Sequence, residues 1–115
     1  MYKKINKYHN KKVIYNGIKF DSKKEMMRYK ELKLMESSNL IKDLELQEKF
    51  LLQEGYTNKA GKKIRPIYYI ADFSYYDIEK KEYIVEDVKG IRTDVYKLKK
   101  KIFEYEYPDL VIKEL

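Results

Sequence analysis

The sequence predicts one mixed α/β domain, running β-hairpin, helix, three strands, helix, strand. Three observations predict it. Ser22-Lys23-Lys24-Glu25 opens a helix directly after an Asn16-Gly17 turn. Two runs rich in β-branched and aromatic residues, Asp72–Tyr76 and Tyr83–Gly90, flank a short polar connection. A second helical stretch follows Thr93 and stops at Pro108, leaving Leu110–Lys113 as a closing strand. A chain of 115 residues buries one modest core, which leaves no room for a separate recognition module.

Residues 1–12 read as a basic, mobile arm, because no hydrophobic period orders them, and residues 13–115 read as the domain. The only histidine, His9, lies in the arm as a bystander. Val13–Phe20 is a hairpin, since Asn-Gly tolerates the positive φ values of a type I′ turn. The first helix should run from Ser22 to about Ser38, with the Ser22 hydroxyl and Glu25 forming a capping box. Glu25 then shares a face with Tyr29 and Leu32, so the stripe that seeks the sheet carries a carboxylate in its first turn.

Leu44–Leu52 alternates as the first long strand, with Leu44, Leu46 and Phe50 facing the core. Gln47 within it can satisfy backbone or solvent. Glu54–Lys63 is a loop, and Lys59, Lys62, Lys63 and Arg65 give it one sign of charge, as a solvated turn or as a basic finger over a phosphate backbone. Ile64–Tyr76 reads as one long strand begun near Pro66, apolar on both faces and therefore central. The arm that follows the hairpin turn should end at Gly90, where the missing Cβ allows a backbone or phosphate to come close. In the second helix Val95, Leu98, Ile102 and Tyr105 keep helical spacing and are expected to pack inward. Lys97, Lys100 and Lys101 lie off that stripe and, with Arg92, either form a solvated face or hold a nucleic-acid strand.

The two strand-like runs carry acids where apolar residues belong. With the turn near residue 79 or 80, Tyr76 faces Tyr83, Ser74 faces Val85 and Asp72 faces Asp87, with Cβ atoms about 5 Å apart. Lys89 projects from the same face as Asp87. Facing carboxylates repel, so the arrangement calls for a cation: either Lys89 neutralises two acids, or a hard divalent ion such as Mg²⁺ or Mn²⁺ sits on them.

Composition narrows the partners. Twenty-six basic residues against 19 acidic give a net charge of +7, which favours polyanions, nucleic acid first. Cysteine is absent, so disulfides and thiol chemistry are excluded and a reducing cytosol suits the chain. No long apolar run appears, and the expectation is a cytoplasmic protein with no membrane partner and no organic cofactor.

Asp72 followed across a hairpin by Asp87-Val88-Lys89 resembles the signature of the PD-(D/E)XK nuclease superfamily, and the wider context is similar to a small phage-encoded endonuclease family within it. The similarity also takes in Phe20–Glu25, Asp43–Gln47, Gly61–Arg65, Tyr69–Phe73, Glu86–Gly90 and Tyr96–Lys99. Ile70-Ala71 stands before Asp72 where the superfamily's name has a proline. The resemblance implies a restriction-endonuclease-like core of helix, three-strand meander, helix and strand, with the N-terminal hairpin added. It also implies a Mg²⁺- or Mn²⁺-dependent DNA endonuclease. Asp72, Asp87 and the Val88 backbone carbonyl would hold the ion, Glu25 would complete the shell or bind a second ion, Lys89 would serve the water, and Gln47 would stand just outside. A host-cell cytoplasm, and a homodimer where a double-strand cut is made, follow from the same likeness. The alternative is a nucleic-acid-binding or regulatory module that keeps the fold without the chemistry.

Overall fold

The computed structural model describes residues 11–115, so most of the basic arm, His9 included, lies outside the described residues. Strands β1 (Val13–Tyr15) and β2 (Ile18–Phe20) pair as a hairpin, and Asn16 and Gly17 take the positive φ values, 53° and 77°, that the turn requires. Helix α1 (Lys23–Ser37) is capped by Ser22, whose side chain accepts the Glu25 N–H at 3.1 Å. It ends where Asn39 turns left-handed at φ 58°. Met26, Tyr29 and Leu32 are buried on the face that also carries Glu25.

Both long strands predicted from the alternation are broken, and at the same place. The first becomes β3 (Ile41–Leu46) and β4 (Lys49–Gln53); the second becomes β7 (Ile67–Ile70) and β8 (Phe73–Asp77). Between these pairs, the predicted loop is itself a small hairpin of β5 (Tyr56–Thr57) and β6 (Lys63–Ile64). Leu46 pairs with Phe73 and Lys49 with Ile70 in one continuous register, so Gln47 and Glu48 stand opposite Asp72 and Ala71 at a shared bend. Gln47 takes φ 57° there and donates its N–H to the Asp72 carbonyl at 3.3 Å, while Ala71 donates to the Glu48 carbonyl at 3.0 Å. The bend redirects the side chains. Leu44 and Leu46 pack toward α1, whereas Phe50, which an unbroken strand would place beside them, is buried on the opposite side of the sheet.

The main sheet has the order β10 (Ile112–Glu114), β9 (Glu82–Asp87), β8, β3. Tyr76 faces Tyr83 and Ser74 faces Val85, the register expected from the sequence, and β10 runs parallel to β9. β9 stops at Asp87, three residues before Gly90; Lys89 continues the ladder with one 3.3 Å bond to the Leu115 carbonyl.

Helix α2 (Asp94–Glu106) is capped by Thr93, as predicted, but it faces inward with a different stripe. Tyr96 and Phe103 are buried and Ile102 packs half-buried against the same core as expected, while Val95, Leu98 and Tyr105 are 63%, 59% and 82% exposed. Aromatic area decides the rotation. Phe103 lies 5.0 Å from Phe50, 5.2 Å from Tyr69 and 5.1 Å from Tyr107, ring to ring. Each such ring buries about 150–250 Å², more than Val95 or Leu98 offers. The tyrosine hydroxyls also find acceptors: Tyr96 donates to Glu114 and Tyr107 to the Leu51 carbonyl.

The result is a sheet sandwiched between α1 with the first hairpin on one side and α2 on the other. Phe20, Leu32, Ile41, Phe73 and Tyr75 fill one core layer; Phe50, Tyr69, Val85, Phe103 and Ile112 fill the other. A bidentate ion pair crosses into the first layer. Glu86, wholly buried, accepts from Arg28 Nε at 2.8 Å and Nη2 at 2.6 Å and from the Tyr75 hydroxyl. Beyond the bend β7 pairs, among the described residues, with β4 alone, so Ile67, Tyr68 and Ile70 stay exposed rather than central.

Candidate functional site

Three elements converge at the open edge beside the bend. The first turn of α1 brings Glu25, the bend between β7 and β8 brings Asp72, and the end of β9 brings Asp87, with Lys89 two residues on. Because Phe73 pairs with Glu86, Asp72 and Asp87 occupy the next opposed position of the same ladder. A cleft of about 210 Å³ opens there, lined among others by Lys24, Glu25, Asp72, Val88, Lys89 and Gly90. A Cβ at Gly90 would meet no atom within 4 Å, so this glycine leaves space on the cleft rather than satisfying a packing contact.

Asp87 sits behind the cleft, fully buried. Its Oδ2 accepts the Tyr69 hydroxyl, and Lys89 Nζ lies 3.2 Å from Oδ1. That contact is an ion pair without hydrogen-bond alignment, because among the described residues Oδ1 has no hydrogen-bond donor. An orphaned buried carboxylate oxygen costs free energy unless a cation or donor reaches it. Lys89 is held on its other side by the Tyr96 ring, 4.8 Å from its centroid. Asp72 Oδ2 accepts the Val88 N–H at 2.7 Å, so the Val88 backbone touches an acid through its amide. The Gln47 side-chain amide stands 3.5 Å from Asp72 Oδ1, a long contact at the place the sequence indicated.

The acids crowd one another. Burial, then the charge of Asp21, then that of Asp87 push the Glu25 carboxyl up to about 7, against the opposing pull of the Asp21 backbone amide and Lys89. Burial and the charges of Asp87 and Glu25 likewise hold Asp72 well above the usual carboxylate range, although the Val88 amide acts the other way. One ammonium does not neutralise three acids: Lys89 reaches Asp87 Oδ1 as a charge partner and leaves Asp72 and Glu25 without an ion pair among the described residues. A divalent cation fits this donor set, by the chemistry of hard carboxylate oxygens and by the unsatisfied Asp87 Oδ1. Among the described residues no three acidic side chains or imidazoles converge tightly enough to enclose an ion by themselves. Two carboxylates with water and substrate oxygens are the ordinary setting for Mg²⁺.

The basic residues divide into separate groups. Arg92 and Lys100 are engaged by Glu114 at 3.1 and 3.5 Å, in a depression they share with Lys97 and Lys101 and not with the cleft. Lys97 and Lys101 are exposed and make no ion pair among the described residues. Lys99, which the sequence did not single out, shares a shallow depression with Lys89, Thr93 and Ile70. Lys62, Lys63 and Arg65 lie on or beside the β5–β6 hairpin, at the far end of the ribbon that leads to Asp72.

Sequence reasoning also missed Tyr69, Asp21 and Lys24. Tyr69 precedes Asp72 by three residues, and only the bend turns its hydroxyl toward Asp87. A further acid was missed as well: Glu48, at the bend, accepts the Ser74 and Tyr83 hydroxyls and pins the two strands there. Burial and this bond push the Tyr83 hydroxyl up to about 12.

Fold and site together define a mixed α/β protein with an acidic, lysine-bearing cleft at a sheet edge, on a chain of net basic charge. The chain belongs to the family described as Protein of unknown function (DUF1064), whose model matches residues 5–114. No curated protein and no solved structure matches it. Among the described residues no helix is long and apolar enough to cross a membrane.

Proposed function

We propose that the protein is a metal-dependent endonuclease that hydrolyses phosphodiester bonds of DNA, on a restriction-endonuclease-like core of the PD-(D/E)XK type. The observation that carries the reading is the meeting of Glu25, Asp72 and Lys89 at one cleft, with Asp87 buried behind it at the position opposed to Asp72 and its Oδ1 without a hydrogen-bond donor among the described residues. An acidic cleft on a basic chain is what a polyanionic substrate bridged by a cation requires.

Asp72, Asp87 and the Val88 carbonyl would hold Mg²⁺ or Mn²⁺, with Glu25 alongside. The ion, when bound, supplies Lewis acidity toward a phosphate oxygen and lowers the pKa of water. Lys89 is fixed between Asp87 and the face of Tyr96, so its ammonium stands where it can orient water or offset charge developing on the phosphate. Tyr69 keeps Asp87 in one orientation. Gln47 and the Val88 amide do the same for Asp72. One cleft cuts one strand, so a double-strand cut takes two protomers about a two-fold axis.

The test is a panel of labelled linear, nicked, flap and four-way DNA substrates with Mg²⁺ or Mn²⁺. The parent is expected to cut at least one, and Asp87→Ala none. Cleavage that survives in Asp87→Ala overturns the assignment. The complete burial of Asp87 favours one rival, a nucleic-acid-binding module without chemistry; DNA affinity with no metal-dependent cleavage across the panel would select it.

A further inference from the structure

The segment between Glu54 and Asp72 contains no acid, and it carries Lys59, Lys62, Lys63 and Arg65. None of these four pairs with a carboxylate among the described residues. Every residue from 53 to 68 except Asn58 and Ile64 is exposed, so no apolar burial holds the segment in shape. It is ordered nonetheless. Asn58 Oδ1 accepts the Ala60 and Lys62 amides, each at 3.0 Å, and the Asn58 and Lys62 backbones close the tip at 2.9 Å. Gly61 supplies φ +83°. At the base, a Cβ on Gly55 would stand 3.0 Å from the Ile64 carbonyl oxygen, a tight contact that glycine removes. The residues that would serve a solvated turn thus build a preformed two-stranded ribbon instead.

Its charge lies on both faces. Tyr56 pairs with Ile64 and Thr57 with Lys63, and the Asn58–Lys62 backbone bond carries the ladder one pair further, so by strand alternation Lys62 and Lys63 project from opposite faces. A ribbon lying on a single phosphate backbone needs cations on one face only. Cations on both faces match a slot with phosphates along both walls. Strands about 4.8 Å apart, with side chains, make a ribbon about 10 Å across, which the roughly 12 Å major groove of B-form DNA admits and the roughly 6 Å minor groove does not. The deep, narrow major groove of an A-form RNA duplex excludes it.

We propose that the β5–β6 ribbon inserts into the major groove of double-helical DNA and makes duplex DNA the preferred ligand. The inference rests on the endonuclease reading for the position of the cut, and adds to it the form of the substrate. Ile64 lies eight residues before Asp72, along a path that includes β7. Lys62, at the tip, lies ten residues before Asp72, so at about 3.3 Å per residue the base of the ribbon stands at most about 26 Å from the cleft and its tip at most about 33 Å, or about ten base pairs of duplex at 3.4 Å each. The enzyme would therefore grip duplex on one side of the scissile phosphate, within one helical turn.

The experiment measures affinity by fluorescence anisotropy in EDTA, for a DNA duplex of about 30 base pairs, the same sequence as single-stranded DNA, and the matching RNA duplex. The parent is compared with a variant carrying Lys59→Ala, Lys62→Ala, Lys63→Ala and Arg65→Ala, and with Lys62→Glu plus Lys63→Glu, each with a thermal melt to confirm folding. Expected is a loss of about tenfold or more for duplex DNA, a salt-dependence slope shallower by about three to four units, and loss of the parent's preference for duplex over single strand and RNA. In the parent, methylation of guanine N7 at the ribbon's position in the footprint should block binding, and this block should vanish in the variant. Equal loss on all three ligands, or an unchanged duplex preference, overturns the insertion. Because binding is read without metal, a protein that grips duplex through the ribbon but never cuts would overturn only the endonuclease reading. One that cuts but keeps its duplex preference in the variant would overturn only this inference.

Discussion

Asp72 accepts the backbone N–H of Val88 at 2.7 Å, tying the bend of one strand to the residue just past the end of its neighbour. The same carboxyl is raised by burial and by Asp87 and Glu25. Asparagine at this position keeps an acceptor for the Val88 amide and removes a carboxyl that folding must either protonate or hold as a crowded charge. Asp72→Asn should therefore melt higher than the parent in EDTA at neutral pH, by an amount equivalent to about 1 kcal/mol. It should also bind Mg²⁺ more weakly and cut no DNA. A metal-free melt below the parent's would show that Asp72 is a structural acid.

The raised carboxyls give the metal-free protein a distinctive pH dependence. An acid whose folded pKa lies above its unfolded value binds more protons when folded, so its contribution to stability falls as pH rises through that interval. Glu25, raised to about 7, and Asp72, raised in the same direction, should make the metal-free protein less stable at about pH 8 than at about pH 5. Thermal melts in EDTA should show this slope, Glu25→Gln should reduce it, and Mg²⁺ should oppose the loss at high pH. A melting temperature that climbs over the same range would refute the crowding.

Lys89→Ala removes a cation and no oxygen ligand. Calorimetric titration should find Mg²⁺ affinity retained or tighter, while cleavage drops about a hundredfold or more. Loss of metal binding in this variant would mean that Lys89 orders Asp87 rather than serving the reaction.

Arg28→Ala leaves Glu86 charged and wholly buried, with only the Tyr75 hydroxyl beside it. Urea unfolding should report a loss of about 3–5 kcal/mol. A cost below about 1 kcal/mol would place the pair with ordinary exposed salt bridges.

Lys97 and Lys101 are exposed and free of ion pairs among the described residues, unlike Lys100, which Glu114 engages. Lys97→Ala with Lys101→Ala should weaken DNA binding about equally for all sequences and flatten its salt dependence by about two units. An unchanged slope would make this side of α2 a solvated face.

Local chemistry is legible in the residues themselves. The Asn16-Gly17 turn, the Ser22 and Thr93 caps, and the register that opposes Asp72 to Asp87 depend on residues close together in the chain, and each stands as the sequence predicts. Those interactions are short in sequence, so the chain states them directly. What α2 buries is not legible in this way, because the exposed Val95, Leu98 and Tyr105 share with Ile102, which does pack on the core, as good a helical period as Tyr96, Phe103 and Tyr107. The choice belongs to Phe50 and Tyr69, rings that only the folded sheet brings to the helix. The bend at Gln47 and Asp72 is hidden for the same reason: alternation continues through it, and the bonds that stabilise it join residues 25 apart. That bend turns Tyr69 onto Asp87. The sequence alone determined that Asp72, Asp87 and Lys89 meet; the tertiary structure decided that Asp21 and Lys24 join Glu25 at the cleft, how deeply Asp87 is buried, what holds Lys89, and which cations remain unpaired, since burial and pairing are properties of surfaces that distant segments make together.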